Sequence, residues 1–254
     1  GRCPPCPQCS PPLLSPPRVF GSAAAEAMGG AIGADADAKR YRDGYPGQRE
    51  QEDVNYRDNQ RFYANQLASR PDGDYIEGIL SKWHGDYARL ERHHGYVQWL
   101  FPIREMGMNP VSQPLTAYEA EEMREDPVVL DRLKRSYCLM LDFYGMRLLD
   151  EATGAVGRKE GNWEERYENL CVNGHNFLRI TRIIKCLGEL GLPHYQAPLC
   201  THFLREVFEE RQLSECADSL VRYWVPVVKD DSERERLEVK SEQYAPASAG
   251  RKGF

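Results

Sequence analysis

No stretch of this chain approaches the roughly 18 to 20 consecutive apolar residues that a membrane-spanning helix needs. Its apolar runs are only a few residues long. A receptor of the membrane-spanning kind is therefore excluded for these residues, while peripheral attachment to a membrane surface stays open. The chain has no G-x-x-x-x-G-K-[ST] or G-x-G-x-x-G loop to cradle phosphates and no G-x-S-x-G nucleophile elbow. No local pattern announces an enzyme or a cofactor, and neither is expected. Positive charge is not in excess: 33 Lys and Arg stand against 39 Asp and Glu, a formal net charge of -6. That argues against broad binding to nucleic acid, and no nucleic-acid partner is expected. Strand signals are few and short. No segment recurs at a fixed period, so a solenoid is not expected either.

Cysteines are present, eight of them, but not in a pattern that builds a site. Cys3, Cys6 and Cys9 have C-x2-C-x2-C spacing. A structural zinc wants a fourth ligand in a folded knuckle, and here there are only prolines. Cys138, Cys171, Cys186, Cys200 and Cys216 are scattered beside apolar residues and read as core or half-buried thiols in a reducing compartment. His93 and His94 are adjacent, so on a helix they point about 100° apart and do not readily share an ion. One is expected to cap a helix end against the dipole. No metal site is expected.

Amphipathic helices are what the chain does have. Ile76, Ile79, Leu80, Trp83, Tyr87 and Leu90 step by three and four, predicting a helix over roughly 74–92 capped by Asp72 or Asp74. Thr116-Ala117-Tyr118-Glu119 is a capping box. Asp126-Pro127 opens a helix with the stripe Leu130, Leu133, Tyr137, Met140, Leu141 and Tyr144, stopped by Gly145. Thr153-Gly154 carries turn chemistry, with Leu148 and Val156 flanking a small hairpin. Asn162 caps a short helix bearing Trp163, Tyr167 and Leu170. Phe177, Ile180, Ile183, Ile184 and Leu187 mark a strong one. Further starts lie at Ala197-Pro198 and Ser214, Pro226 ends the latter, and residues 231–244 form a charged last helix.

The pattern predicts an all-α fold, a compact single-domain bundle of about seven or eight helices. Residues 1–38 read as a disordered Pro/Ala/Gly-rich segment, 39–61 as a charged lead-in, 62–244 as the domain and 245–254 as a loose tail. The chain opens on Gly rather than Met, which reads as a fragment or processed form.

One resemblance rests on ordered blocks across residues 60–244. They are Arg61-Phe62-Tyr63, Pro71-Asp72-Gly73 with Tyr75-Ile76-Glu77, and the run Tyr96 to Glu105, YVQWLFPIRE. Phe143-Tyr144-Gly145, Asn162-Trp163 and Leu178 to Leu192, LRITRIIKCLGELGL, follow. In this order the chain resembles the opioid growth factor receptor family, in its receptor or receptor-like branch. The resemblance implies a non-enzymatic receptor for the opioid growth factor, the pentapeptide Met-enkephalin. It implies a role in regulating cell growth, in the nucleus and perinuclear cytoplasm, associated with the nuclear envelope. The alternative is a helical interaction module for another intracellular protein or a membrane surface.

A pentapeptide pocket needs an apolar slot, a carboxylate for the amine and a cation for the carboxylate. Residue type and clustering nominate Trp99 and Phe101 for stacking, and Arg104, Arg179 and Arg182 as cations. The plainer readings are that the aromatics belong to the core and that Arg179, Arg182 and Lys185, at steps of three, form a solvated helix face.

Overall fold

The computed structural model of the protein describes residues 31–48 and 56–244. Twelve α-helices and one two-stranded antiparallel sheet occur among these residues. The helices are α1 (Ala31–Arg42), α2 (Asp58–Tyr63), α3 (Ile76–Lys82), α4 (Tyr87–Arg92), α5 (Val97–Leu100), α6 (Ala117–Glu125) and α7 (Pro127–Phe143). The hairpin β1 (Met146–Asp150) and β2 (Ala155–Arg158) follows, with Leu148 opposite Val156. Then come α8 (Trp163–Val172), α9 (His175–Glu189), α10 (Gln196–Leu204), the short α11 (Ala217–Ser219) and α12 (Asp231–Tyr244). No helix among the described residues is long and apolar enough to cross a membrane.

Local chemistry starts α6 and α7 where the sequence places the signals, whereas α3 begins after Tyr75 rather than on an Asp72 or Asp74 cap, and Asn162 precedes α8 without a side-chain capping bond. Thr116 and Glu119 exchange both capping-box hydrogen bonds. Asp126 accepts from the Val128 amide, and Pro127 takes the first turn, where a missing N–H costs nothing. Gly145 ends α7 at φ +77, a left-handed conformation that a Cβ disfavours. The stripe of α7 then buries Leu133, Tyr137, Met140 and Leu141 against Ile180, Ile183 and Ile184 of α9 in one continuous core.

Several expectations are corrected. The helix predicted over 74–92 is two helices. Gly85 at φ +77 breaks it, and the Asp86 carboxylate caps the second by accepting from the Arg89 amide. Residues 31–38 are not part of a loose segment: α1 buries Ala34, Ala38 and Tyr41 on one side. The rest of the Pro-rich segment, with Cys3, Cys6 and Cys9, lies outside the described residues, as does 245–254. Finally, Arg179, Arg182 and Lys185 are buried, not a solvated face. The core wraps α9 on nearly every side, so its cations must find partners inside. The bundle holds more helices than expected because loop segments such as Val97–Leu100 complete short turns of their own.

Glu91 ties α4 to the later helices. Its carboxylate receives Asn169 and Asn176 and pairs with His175. Burial works to raise its pKa, but the hydrogen bonds from His175 and Asn169 prevail and hold it at about 2. A depressed carboxyl contributes stability that is complete above its ordinary pKa and is lost as pH falls through the folded value. Urea unfolding between pH 5 and pH 2 should therefore show a loss on the order of 2 kcal/mol that Glu91→Gln removes. Identical pH slopes in the two proteins would contradict this role.

Candidate functional site

The nominated residues turn inward. Trp99 is fully buried, packs against Phe62 at a ring distance of 5.6 Å, and donates through Nε1 to the Arg70 carbonyl at 3.0 Å. Phe101 is fully buried too, and its carbonyl accepts from Arg182 Nε at 2.7 Å. Burial lowers the Arg182 pKa to about 10, which still leaves it charged at neutral pH. Arg179 donates to the carbonyls of Leu90, Glu91 and His93 and to Asn176, pinning the turn after α4. Arg104 is half-buried, donates to the Gly44 carbonyl and lies 5.1 Å from the Tyr45 ring. The guanidinium fork suits this work, since its several N–H donors satisfy several carbonyls at once. The structure thus brings Phe101 and Arg182 together. It sets Arg179 apart, and it gives each of the five an internal partner.

An open concavity lies elsewhere. A cleft of about 650 Å³ runs between the hairpin, α10 and α12, within the range of small-ligand sites. Its floor is apolar: Ala155 and Val156 from β2, then Pro193, Ala197 and Pro198 leading into α10. Close packing of the hairpin turn on the start of α10 builds this floor. Gly154, at φ +73, sits where a Cβ would come within 2.7 Å of the Tyr195 ring. Tyr195 in turn donates to the Glu151 carbonyl at 2.8 Å.

Beyond α10 the backbone widens into a π-helical turn, Arg205–Glu209. Such turns insert an extra residue per cycle and recur at functional sites. Here Glu206 is fully buried while Arg205 and Glu209 are directed to the cleft. Arg158 grips Glu206 through Nε at 3.0 Å and NH2 at 2.6 Å. His202 lines the cleft while only 4% exposed. Its Nε2 is 2.8 Å from the Tyr167 hydroxyl, and its Nδ1 has no hydrogen-bond partner. Burial pushes the His202 pKa down to about 4, and burial raises the Tyr167 hydroxyl, so this pair is neutral at physiological pH.

The rim alternates in sign. Arg236 pairs with Glu233 at 2.6 Å and reaches Thr201 Oγ1 at 3.3 Å, and Lys240 pairs with Glu209 at 3.0 Å. Asp230 and Arg205 extend the two signs along the rim. The Thr201 hydroxyl donates to the Ala197 carbonyl and is not held by a base. Among the described residues, no group of three or more His, Cys, Asp or Glu side chains is placed to hold a metal ion. The arrangement suits binding of a small amphipathic molecule that carries both charges. No local pattern marks His202, because its partner Tyr167 is 35 positions away. Small residues at Ala197-Pro198 and the turn at Thr153-Gly154 were the available signals. The rim on α12 read only as a charged helix.

Residues 51–252 match the family model described as the opioid growth factor receptor (OGFr) conserved region. The chain is 42% identical over 212 residues to an opioid growth factor receptor-like protein 1 of Mus musculus, covering 83% of this chain and 45% of that protein. It is 44% identical over 201 residues to the opioid growth factor receptor of Homo sapiens, covering 79% of this chain and 30% of that protein. The chain thus spans less than half the length of these curated relatives. No solved structure matches it.

Proposed function

We propose, from the premise that this chain belongs to the opioid growth factor receptor family, that it forms the ligand-binding part of a non-enzymatic peptide receptor. Its ligand is the opioid pentapeptide Met-enkephalin, and its role is regulation of cell growth from the nucleus and perinuclear cytoplasm. The observation that carries the reading is the cleft between the hairpin, α10 and α12, with an apolar floor and a rim of alternating charge. A short zwitterionic peptide places apolar side chains on Ala155, Val156 and Pro198. Its carboxylate meets Arg236 and Lys240, and its amine meets Glu233 or Glu209. Trp99, Phe101, Arg104, Arg179 and Arg182 support the domain from within.

Isothermal titration of the chain with Met-enkephalin and with a scrambled pentapeptide tests this. Heat at one-to-one stoichiometry is expected for the first alone, weakened roughly tenfold in Arg236→Ala/Lys240→Ala by loss of a charge-assisted contact. Unchanged affinity in that variant would move the peptide out of the cleft. Equal or absent heats would favour the second reading, an interaction module for a protein partner. That reading draws on Met106, Met108 and Val111, which are 73%, 88% and 48% exposed on one loop.

A further inference from the structure

Gly188 stands inside α9, a position where glycine costs about 1 kcal/mol relative to alanine. A Cβ there would lie 2.2 Å from the Tyr41 hydroxyl and 2.6 Å from Gln196 Nε2. The missing side chain leaves a notch, and the Tyr41 phenol fills it. The hydroxyl donates to the Lys185 carbonyl at 2.8 Å and accepts from Gln196 Nε2 at 3.0 Å, so both its hydrogen-bonding roles are met. Gln196 is itself fixed, donating to the Ile184 carbonyl and accepting from the Lys229 amide. The ammonium groups of Lys229 and Lys185 lie 4.9 and 5.6 Å from the Tyr41 ring centre.

Around the notch the contacts keep one pattern. Lys185, its side chain 3% exposed, pairs with Asp37 at 2.7 Å and with Glu105 at 2.8 Å. Glu105 also accepts from the Tyr45 hydroxyl at 2.8 Å. The acid, the first tyrosine and the second tyrosine stand four residues apart, at 37, 41 and 45. The receiving groups all fall within residues 51–252, which the family model matches, while the segment that supplies the tyrosines precedes it. That segment has little to hold it together alone. Its helix is twelve residues of mostly Ala, Asp and basic side chains, below the length at which isolated helices persist in water.

We propose that the groove around Gly188 is a tyrosine-recognition site of the family-matched domain, filled here by residues 31–48 as a tethered ligand. It takes, in exchange, a segment of a protein partner that carries an acid and a tyrosine one helical turn apart and a second tyrosine four residues on, in the turn that ends the helix, as Tyr45 does at φ +59. The inference is independent of the pentapeptide reading, because the groove and the α10–α12 cleft are lined by different side chains. A segment joined to the domain by seven residues, 49–55, competes at an effective concentration in the millimolar range. An outside peptide therefore binds well only when the internal tyrosines are removed.

The test titrates a fluorescein-labelled synthetic peptide of residues 31–48 against the full chain by fluorescence anisotropy. The Tyr41→Ala/Tyr45→Ala chain is expected to bind it at least tenfold more tightly than the unaltered chain, and adding Gly188→Ala should abolish that binding. Hydrogen exchange without peptide supplies a second readout that does not depend on the doubly substituted variant. Gly188→Ala alone should speed exchange of amides 34–45 at least tenfold, although alanine is the better helix former. Equal peptide affinity in the unaltered and doubly substituted chains overturns the proposal, as does unchanged exchange over 34–45 in Gly188→Ala.

Discussion

Replacing Trp99 by alanine should lower the free energy of unfolding by about 3–5 kcal/mol. The indole is fully buried, with its ring 5.6 Å from that of Phe62 and 5.5 Å from the Arg70 guanidinium carbon. Truncation removes the largest type of side chain from a close-packed interior, and the surrounding rings cannot close the void. It also removes the Nε1 donor from the Arg70 carbonyl, although Asn109 Nδ2 still donates to that oxygen at 2.6 Å. Trp99→Phe keeps most of the volume and should cost much less. Urea denaturation of the three proteins measures the differences. A change under about 1 kcal/mol for Trp99→Ala would mean that the indole is not a core group. The result also bears on ligand studies, since any loss of peptide heat in a Trp99 variant must first be read as loss of fold.

The second large effect concerns the ion pair beneath the cleft. Glu206 has no solvent exposure, and its bidentate partner Arg158 comes from β2. Arg158→Met should cost about 3–5 kcal/mol, because it strands a carboxylate that has already lost its water. Arg205 at 3.2 Å is the remaining cation within reach, but it is half exposed and screened. The Arg158→Met/Glu206→Leu pair should recover most of the loss, since two apolar groups of similar size need no compensation. Urea denaturation of the single and double variants completes the cycle. If the double variant is as unstable as the single one, the cost lies in packing against Trp163, whose ring centre is 4.1 Å from the Arg158 guanidinium. The same pair anchors the hairpin to the π-helical turn, so the cleft should lose its shape along with the pair.

The fold was legible where local chemistry decides it. Thr116, Asp126-Pro127 and Gly145 each announced a helix boundary through hydrogen bonds made within a few residues. Trp83 and Tyr87, at helical spacing, hid a break that His84-Gly85-Asp86 could have signalled, because a glycine before an Asp cap suits a turn as well as a helix interior. The all-α reading needed only the apolar periodicity. The site was much less legible. Cations at 179, 182 and 185 look like a wet face when one helix is read alone. They become internal pins only when distant partners arrive: the carbonyls of Leu90, Glu91 and His93 for Arg179, that of Phe101 for Arg182, and the Asp37 and Glu105 carboxylates for Lys185. The cleft depends on three segments separated by dozens of residues, and no local pattern encodes their meeting. The family resemblance pointed to a receptor, but it carried no position for a ligand.

The seat of Tyr41 has a bearing on how the chain is made. The phenol lodges against Lys185, Gln196 and Lys229, which follow it by 144, 155 and 188 positions. A ribosome adding roughly 5–20 residues per second takes about 10 to 40 seconds to cover the longest of these gaps. Through all of that time Tyr41, made long before the groups that seat it, has no complete pocket in which to dock.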